Sequence, residues 1–568
     1  MALSLAACGG SSTPAPDAGD DAGDDTPAPD AAKSIAMTAA LDTATGGSGN
    51  DTFTAVNSAT STTLTDLDTI TGGAGTDTLS IADTAKDVFT LPTSMTMTGV
   101  EAITVSHLSD AAADIITVDT TNYSDVDSVT VVNAGTNITS ATVNGSANLQ
   151  TVTISGGAGQ DIIAVVVADA GTAGSATAAT TDAITSVSLT GVTTTGTLSS
   201  DALTSLTVKN VGGLVTNTDG YVAATDLREL TVSHNGGTNG GVIDAGATTV
   251  NVNIDAATTN AGANTFAAAK TLNVDVNAAL TAGTITAAAA TDVNVNLDAA
   301  VTASTLTTAA ATTMDFTGTA NAVVTQTAAA AAVITNSGTG NLTLNTAIAA
   351  GQTYTGGSGV DTVTFAASGT KASTLGAGDD VATFAAVAGT GGSVDAGAGD
   401  DTISVTHANA LVLDNSTAFN ADVANFEVLS LGAIAASTGA ANADDTSLNM
   451  TNIDGINSVI LAGSAAATNA QVNTIANLAS GATFEQTALL GANASVALTG
   501  AFTGSSDVVN IKATATNGFA NAGALTVAAV ETINITLDDS DTTAATTMFD
   551  LNMDAANATS FVVTGDAG

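Results

Sequence analysis

The chain has 568 residues and a formal net charge of −46, from 53 acidic and 7 basic residues, so it lacks the basic footprint that nucleic acid or an anionic membrane requires. Only five acids are glutamate (Glu101, Glu229, Glu427, Glu485 and Glu531); aspartate-dominated acidity suits loops and metal sites, and a divalent cation is the partner this charge calls for. Hydrophobic residues make up 44% but aromatic ones 3%, with no tryptophan and 57 glycines, which argues against one large globular core and for many thin β-coils that bury small side chains against each other.

In chain order, residues 1–8 read as a lipobox-like remnant: Leu5-Ala6-Ala7-Cys8-Gly9 has the form of a bacterial lipoprotein cleavage box, with the only cysteine at the acylation position. Cys8 is therefore the expected lipidation site. Residues 9–33, rich in Pro, Asp, Gly and Ser, read as a disordered tether. Seven residues without Lys or Arg before Cys8 are short for a signal peptide, so the start is expected to be truncated. No other apolar run is long enough to span a bilayer, which leaves a lipid at Cys8 as the expected membrane contact. A lone cysteine allows no internal disulfide.

Six loops follow a Gly-Gly-x-Gly-x-Asp pattern. Two fall in a first β region, residues 34–110: Gly46-Gly47-Ser48-Gly49-Asn50-Asp51 and Gly72-Gly73-Ala74-Gly75-Thr76-Asp77. A third, Gly156-Gly157-Ala158-Gly159-Gln160-Asp161, stands alone. The other three cluster in residues 355–407: Gly356-Gly357-Ser358-Gly359-Val360-Asp361, Leu375-Gly376-Ala377-Gly378-Asp379-Asp380 and Ala396-Gly397-Ala398-Gly399-Asp400-Asp401. Glycine permits positive φ, which lets successive carbonyls turn toward a cation, and the aspartate supplies a charged oxygen, so each loop is a candidate calcium half-site. The metal candidates are thus Gly47, Gly49, Asp51, Gly73, Gly75, Asp77, Gly157, Gly159, Asp161, Gly357, Gly359, Asp361, Gly376, Gly378, Asp380, Gly397, Gly399 and Asp401. Loops close in sequence can stack and share an ion, which favours the 361, 380 and 401 group over the pair at 51 and 77. The isolated Asp161 loop reads equally as an ordinary glycine turn. Leu375 and Ala396 replace the first glycine and weaken their half-sites.

Between the loop clusters, residues 111–354 repeat at about twenty residues. The blocks Thr271-Leu272-Asn273-Val274-Asp275-Val276, Thr291 to Leu297 and Thr312 to Phe316 align, with second strands at Thr284–Thr286, Thr305–Thr307 and Val323–Thr325. Further rungs lie at Ser205–Val208, Glu229–Val232 and Thr249–Ile254. Period-two alternation at fixed spacing predicts a β-solenoid with two strands per coil. Alanine runs such as Ala309–Ala311 and Ala328–Ala332 are too short for helices and fall at turns. Residues 408–568 read as a further solenoid region whose last residues, Thr564 to Gly568, begin like another loop, so the chain is expected to be a fragment.

These residues resemble calcium-dependent S-layer proteins of the Caulobacter type, within the larger group with RTX (hemolysin-type) calcium-binding repeats. The likeness is strongest in Gly49-Asn50-Asp51-Thr52-Phe53, in Asp68 to Asp77 continuing through Leu91-Pro92-Thr93 to Gly99-Val100-Glu101-Ala102-Ile103-Thr104-Val105, and in Thr355 to Val405. The resemblance implies an all-β, right-handed parallel β-solenoid or β-roll with RTX-like calcium-binding coils, which binds many calcium ions and self-associates into a two-dimensional lattice at the bacterial cell surface. The family's lipopolysaccharide-holding amino-terminal domain and carboxy-terminal export region have no counterpart here. A calcium-dependent adhesin or lipoprotein stalk is the alternative, and a cell-surface glycan is a further partner to weigh. A polysaccharide-active enzyme ranks lower: such sites need a tight group of Asp, His, Tyr, Lys or Arg, whereas His107, His234, His407, Tyr123, Tyr221, Tyr354 and seven cations are scattered. His234 reads as a turn residue and Arg228-Glu229 as a surface pair. Outward positions mix Thr, Asn, Asp and Ser, which disfavours ice binding.

Overall fold

A computed structural model describes residues 30–565 apart from segments 86–87, 110–113, 136–137, 158–160, 170–182, 219–227, 367–370, 386–391, 417–421, 437–444, 454, 501–503, 505, 517 and 540–547. It is 57% strand and 3% helix and forms a parallel β-solenoid of about 19 turns. Strands form because small β-branched residues alternate with Thr, Asn and Asp. In Thr271–Val276 the side chains of Leu272, Val274 and Val276 are buried while Thr271, Asn273 and Asp275 face outward. The next strand pairs in register, with Leu272 opposite Val293 and Val274 opposite Val295, and the one after it places Met314 and Phe316 on the same columns. The core is therefore a set of continuous apolar columns between two facing ladders of strands. Its main sheet has 38 strands, reaches from Ser34–Ala36 to Ser560–Gly565 and crosses the sequence boundaries near 110, 354 and 407 without a break.

The repeat blocks are rungs as expected, and the alanine runs are turns. Each turn closes with the same bond: Ala290 N donates to Ala287 O at 2.9 Å, Ala311 N to Thr308 O at 2.8 Å and Ala332 N to Ala329 O at 3.0 Å. Ala290, Ala311 and Ala332 are fully buried, so a larger side chain there would meet the core. Second strands run longer than the alternation suggested, over Leu280–Thr286, Val301–Thr307 and Ala322–Thr327, and the register between the last two slips between Val301 and Ser304. A short third ladder flanks the first turns (Thr43–Gly47, Thr69–Gly73, Thr96–Thr98), and a five-stranded one faces the main sheet from Thr446–Asn449 onward.

Four expectations need correction. The tether does not extend to residue 33: Asp30 N donates to Ser48 Oγ at 2.7 Å and Lys33 N to Asp51 Oδ1 at 2.6 Å, so this stretch caps the first loop. Arg228 is not a surface residue; it is buried and paired with Asp244 at 2.5 Å, while Glu229 points outward to Asn251. His234 is not in a turn but inside the strand Glu229–Thr238, fully buried, where the alternation turns it inward beside Asn239. Within 408–568 a helix, His407–Asp414, interrupts the strands; Thr406 caps it by accepting from Asn409 N.

Burial lowers the His234 pKa to about 4, against smaller opposing effects of Asn264 and Asp255. The folded state therefore holds the imidazole neutral, and its contribution is complete above the unfolded value near 6.5 and lost as pH falls toward 4. Comparing denaturation of the wild type and His234→Gln between pH 7 and pH 4 should show the wild type losing about 3 kcal/mol relative to the variant. Parallel pH profiles would contradict this assignment.

Candidate metal centres

Each clustered loop joins the end of one strand to the start of the next, and the loops stack by backbone bonds of their own. Ala74 N donates to Gly47 O at 2.9 Å, Ala377 N to Gly357 O at 2.9 Å and Ala398 N to Gly376 O at 3.0 Å. Close approach explains the first glycine. A Cβ on Gly72 would lie 1.7 Å from Gly99 O in the next coil and 2.3 Å from Asp77 Oδ2; on Gly356 it would lie 1.8 Å from Leu375 O and 2.4 Å from Asp361 Oδ2. The second and third glycines have positive φ in the loops ending at Asp77, Asp380 and Asp401, but Gly47, Gly49, Gly357 and Gly359 do not. In those two loops the coil below, not the dihedral, requires glycine: a Cβ on Gly357 would lie 2.2 Å from Gly338 O.

Stacking turns the loop aspartates into two carboxylate columns. In the first, Lys33 N donates to Asp51 Oδ1 at 2.6 Å, Asp51 N to Asp77 Oδ1 at 2.6 Å and Asp77 N to Glu101 Oε2 at 2.7 Å. In the second, Asn336 Nδ2 donates to Asp361 Oδ1 at 2.8 Å, Asp361 N to Asp380 Oδ1 at 2.7 Å, Asp380 N to Asp401 Oδ1 at 2.7 Å and Asp401 N to Glu427 Oε2 at 2.9 Å. All five aspartates are at most 1% exposed. One oxygen of each carboxylate is thus bonded, yet Oδ2 of Asp51, Asp77, Asp380 and Asp401 is buried without a hydrogen-bond partner. At the base of the first column the Lys33 ammonium donates to Gly46 O at 2.8 Å.

The second column holds its protons tightly. Burial, followed by the charges of Asp361, Asp401 and Asp379, pushes Asp380 up to about 7. Burial also raises Asp361, against bonds from Tyr354 and Asn336, and burial with Glu427, Asp379 and Asp400 raises Asp401. Buried beside Asp361, the Tyr354 hydroxyl is pushed up as well. Buried carboxylate oxygens without donors, those of Asp51 and Asp77 beside Gly72 O and Gly99 O of the next coil, offer all-oxygen surroundings that fit a hard cation such as calcium. Among the described residues no group of three or more His, Cys, Asp or Glu side chains forms a compact metal cage, so any such ion would be shared between coils and carbonyls.

The third loop differs. Asp161 is half-buried and its carbonyl accepts from Ile138 N, and in the coil above it the chain turns through the single residue Gly191, where the other loops have an aspartate or glutamate. Gly157 is exposed, and Gly159 and Cys8 lie outside the described residues. Another titratable group, His107, is fully buried between Asp83, hydrogen-bonded to its Nδ1 at 2.8 Å, and Asp114, whose Oδ2 lies 3.3 Å from its Nε2. Lys33, Asn336, Glu101 and Glu427 were not singled out from the sequence. The rarity of glutamate marks the last two, and Glu101 also lies in the Gly99 to Val105 stretch of the resemblance. No protein-family model matches this chain, and no curated protein matches it.

Gly72→Ala should force Gly99 O and Asp77 Oδ2 away and cost about 1–3 kcal/mol or more. Gly504→Ala, whose Cβ would meet nothing closer than 3.3 Å, should be near neutral. Equal denaturation midpoints for the two variants would contradict the packing account.

Proposed function

We propose that this chain is a structural cell-surface protein whose β-solenoid is stabilised by calcium at the two carboxylate columns and assembles into an S-layer-like lattice, without catalytic activity. The observation that carries this reading is the set of four buried, partnerless carboxylate oxygens stacked coil on coil. Asp51, Asp77, Asp361, Asp380 and Asp401 hold the ions, helped by carbonyls of the glycine loops; the ion supplies charge neutralisation inside the column. The net charge of −46 supports the assembly step, since like-charged solenoids repel until a cation bridges them. A surface location and a lipid at Cys8 belong to the same reading.

Calcium in excess over chelator, at matched ionic strength, should raise the melting temperature, each site adding about 2.7 kcal/mol at 100 times its Kd. Electron microscopy of the same samples should show periodic sheets with calcium and none with chelator. An unchanged melting temperature would overturn the calcium reading, and isolated rods in calcium would overturn the lattice.

The raised pKa of Asp380 gives a second test with a defined sign. Without metal, the neutral carboxyl favours the fold, so this contribution is present below about 4 and is lost as pH rises toward 7. Calcium needs the carboxylate, so its affinity should climb with pH up to about 7 and then level, with proton release on binding at pH 6.5 and little at pH 9. Asp380→Asn should weaken calcium binding yet stabilise the metal-free protein at pH 8. Calcium affinity independent of pH across this range would remove Asp380 from the site.

A further inference from the structure

The two columns end on the same local unit. Gly99-Val100-Glu101 and Asn425-Phe426-Glu427 each begin with a residue in the left-handed region (φ +61 and +60), bury the following apolar side chain and place glutamate immediately before the next strand, Ala102–His107 or Val428–Leu431. A third copy, Ala529-Val530-Glu531 (φ +59), occurs near the end of the solenoid. In all three, glutamate Oε2 accepts the N–H of the aspartate one coil below, at 2.7, 2.9 and 3.0 Å. A short turn has replaced the six-residue glycine loop. The additional methylene of glutamate puts its carboxylate where a loop aspartate would reach.

We infer that Glu101 and Glu427 are metal ligands, each completing an end site for calcium with the last aspartate of its column. This rests on the calcium reading above. Two observations point to a ligand rather than a mere cap. Asp77 Oδ2 and Asp401 Oδ2, the aspartate oxygens next to these glutamates, are fully buried and have no hydrogen-bond donor. Asp77 Oδ2 also lies near Gly99 O, a carbonyl of the glutamate's own coil: a Cβ added to Gly72 would meet both, at 2.3 and 1.7 Å. A divalent ion between coils calls for carboxylate on both sides. Interior gaps are flanked by two aspartates, 51 with 77, 361 with 380 and 380 with 401. The end gaps are flanked by one aspartate and the glutamate, 77 with 101 and 401 with 427, so without glutamate each end gap would keep a carboxylate on one side alone.

The third copy is a built-in control. Asp507, below Glu531, turns its Oδ2 back to accept Gly504 N at 3.1 Å and is only half-buried. Among the described residues no buried partnerless oxygen lies beside Glu531, so the same glutamate serves as a hydrogen-bond acceptor alone.

Equilibrium dialysis of the full chain with radioactive calcium tests the assignment. Glu101→Gln and Glu427→Gln keep the acceptor for the aspartate N–H but remove the charge; each should lower the number of tightly bound ions by one, the double variant by two, and Glu531→Gln by none. A wild type that binds calcium alongside variants with the same count and affinity would overturn the assignment and leave the calcium reading standing. A wild type that binds no calcium would remove both. Should a variant lose strand content in chelator, the calcium midpoint at which its circular dichroism returns decides: a midpoint higher than that of Glu531→Gln supports the assignment, and an equal one overturns it.

Discussion

In-register parallel pairing between successive coils is the constraint from which the other features follow. With each residue hydrogen-bonded beside its equivalent one turn away, at about 4.8 Å, any side chain used at one position tends to become a column. For valine and leucine this builds the core at no electrostatic cost. For aspartate it brings like charges together: at an effective dielectric of about 20, two carboxylates about 5 Å apart repel by about 3 kcal/mol. The structure offsets part of this by directing a backbone N–H at one oxygen of each of the five column aspartates, and by placing Lys33 and Asn336 below the two columns. The second oxygen of Asp51, Asp77, Asp380 and Asp401 is left without a donor, and the raised pKa of Asp380 reports the remaining cost.

The same constraint governs the buried polar groups. Asn57, Asp83, His107 and Asn133 occupy equivalent positions on consecutive rungs, and Asn57 Nδ2 donates to Asp83 Oδ1 while His107 Nδ1 faces Asp83 Oδ2. Further along, Asn217 bridges Ser200 O and Asp244, which also receives Arg228 and the N–H groups of Gly246 and Ala247; together these bonds and the Arg228 charge hold the Asp244 carboxyl below its usual range despite burial. A slip of one residue would turn these partners to opposite faces. Polar columns therefore specify register where aliphatic columns, being nearly uniform, specify it weakly.

How much of this was legible in the sequence depended on whether the signal was local. Strands such as Thr271–Val276 and turns such as Ala287–Ala290 follow from period-two alternation and a repeat of about twenty residues, both visible in one dimension. The glycine loops were visible for the same reason, although the ground for some glycines is the carbonyl of the coil below rather than positive φ. Glu101 and Glu427 were not legible, because their partners lie 24 and 26 residues away and their turns share only a backbone conformation, reached by Gly in one and Asn in the other. Arg228 and His234 were misplaced because polar residues next to loop-forming ones suggest a surface, whereas strand phase and the Asp244 and Asn239 partners bring them inside. The Asp161 loop has the same local pattern as the others, and only the coils above and below it distinguish it.

The central claim is that the two carboxylate columns, and not the aliphatic rungs between them, depend on bound calcium. Hydrogen–deuterium exchange of the full chain, followed peptide by peptide with calcium and with chelator, tests this most directly. The account predicts that residues 46–107 and 355–431 lose protection when calcium is removed, while 249–345 keep theirs. Identical exchange in both conditions, or a loss spread evenly along the solenoid, would contradict it.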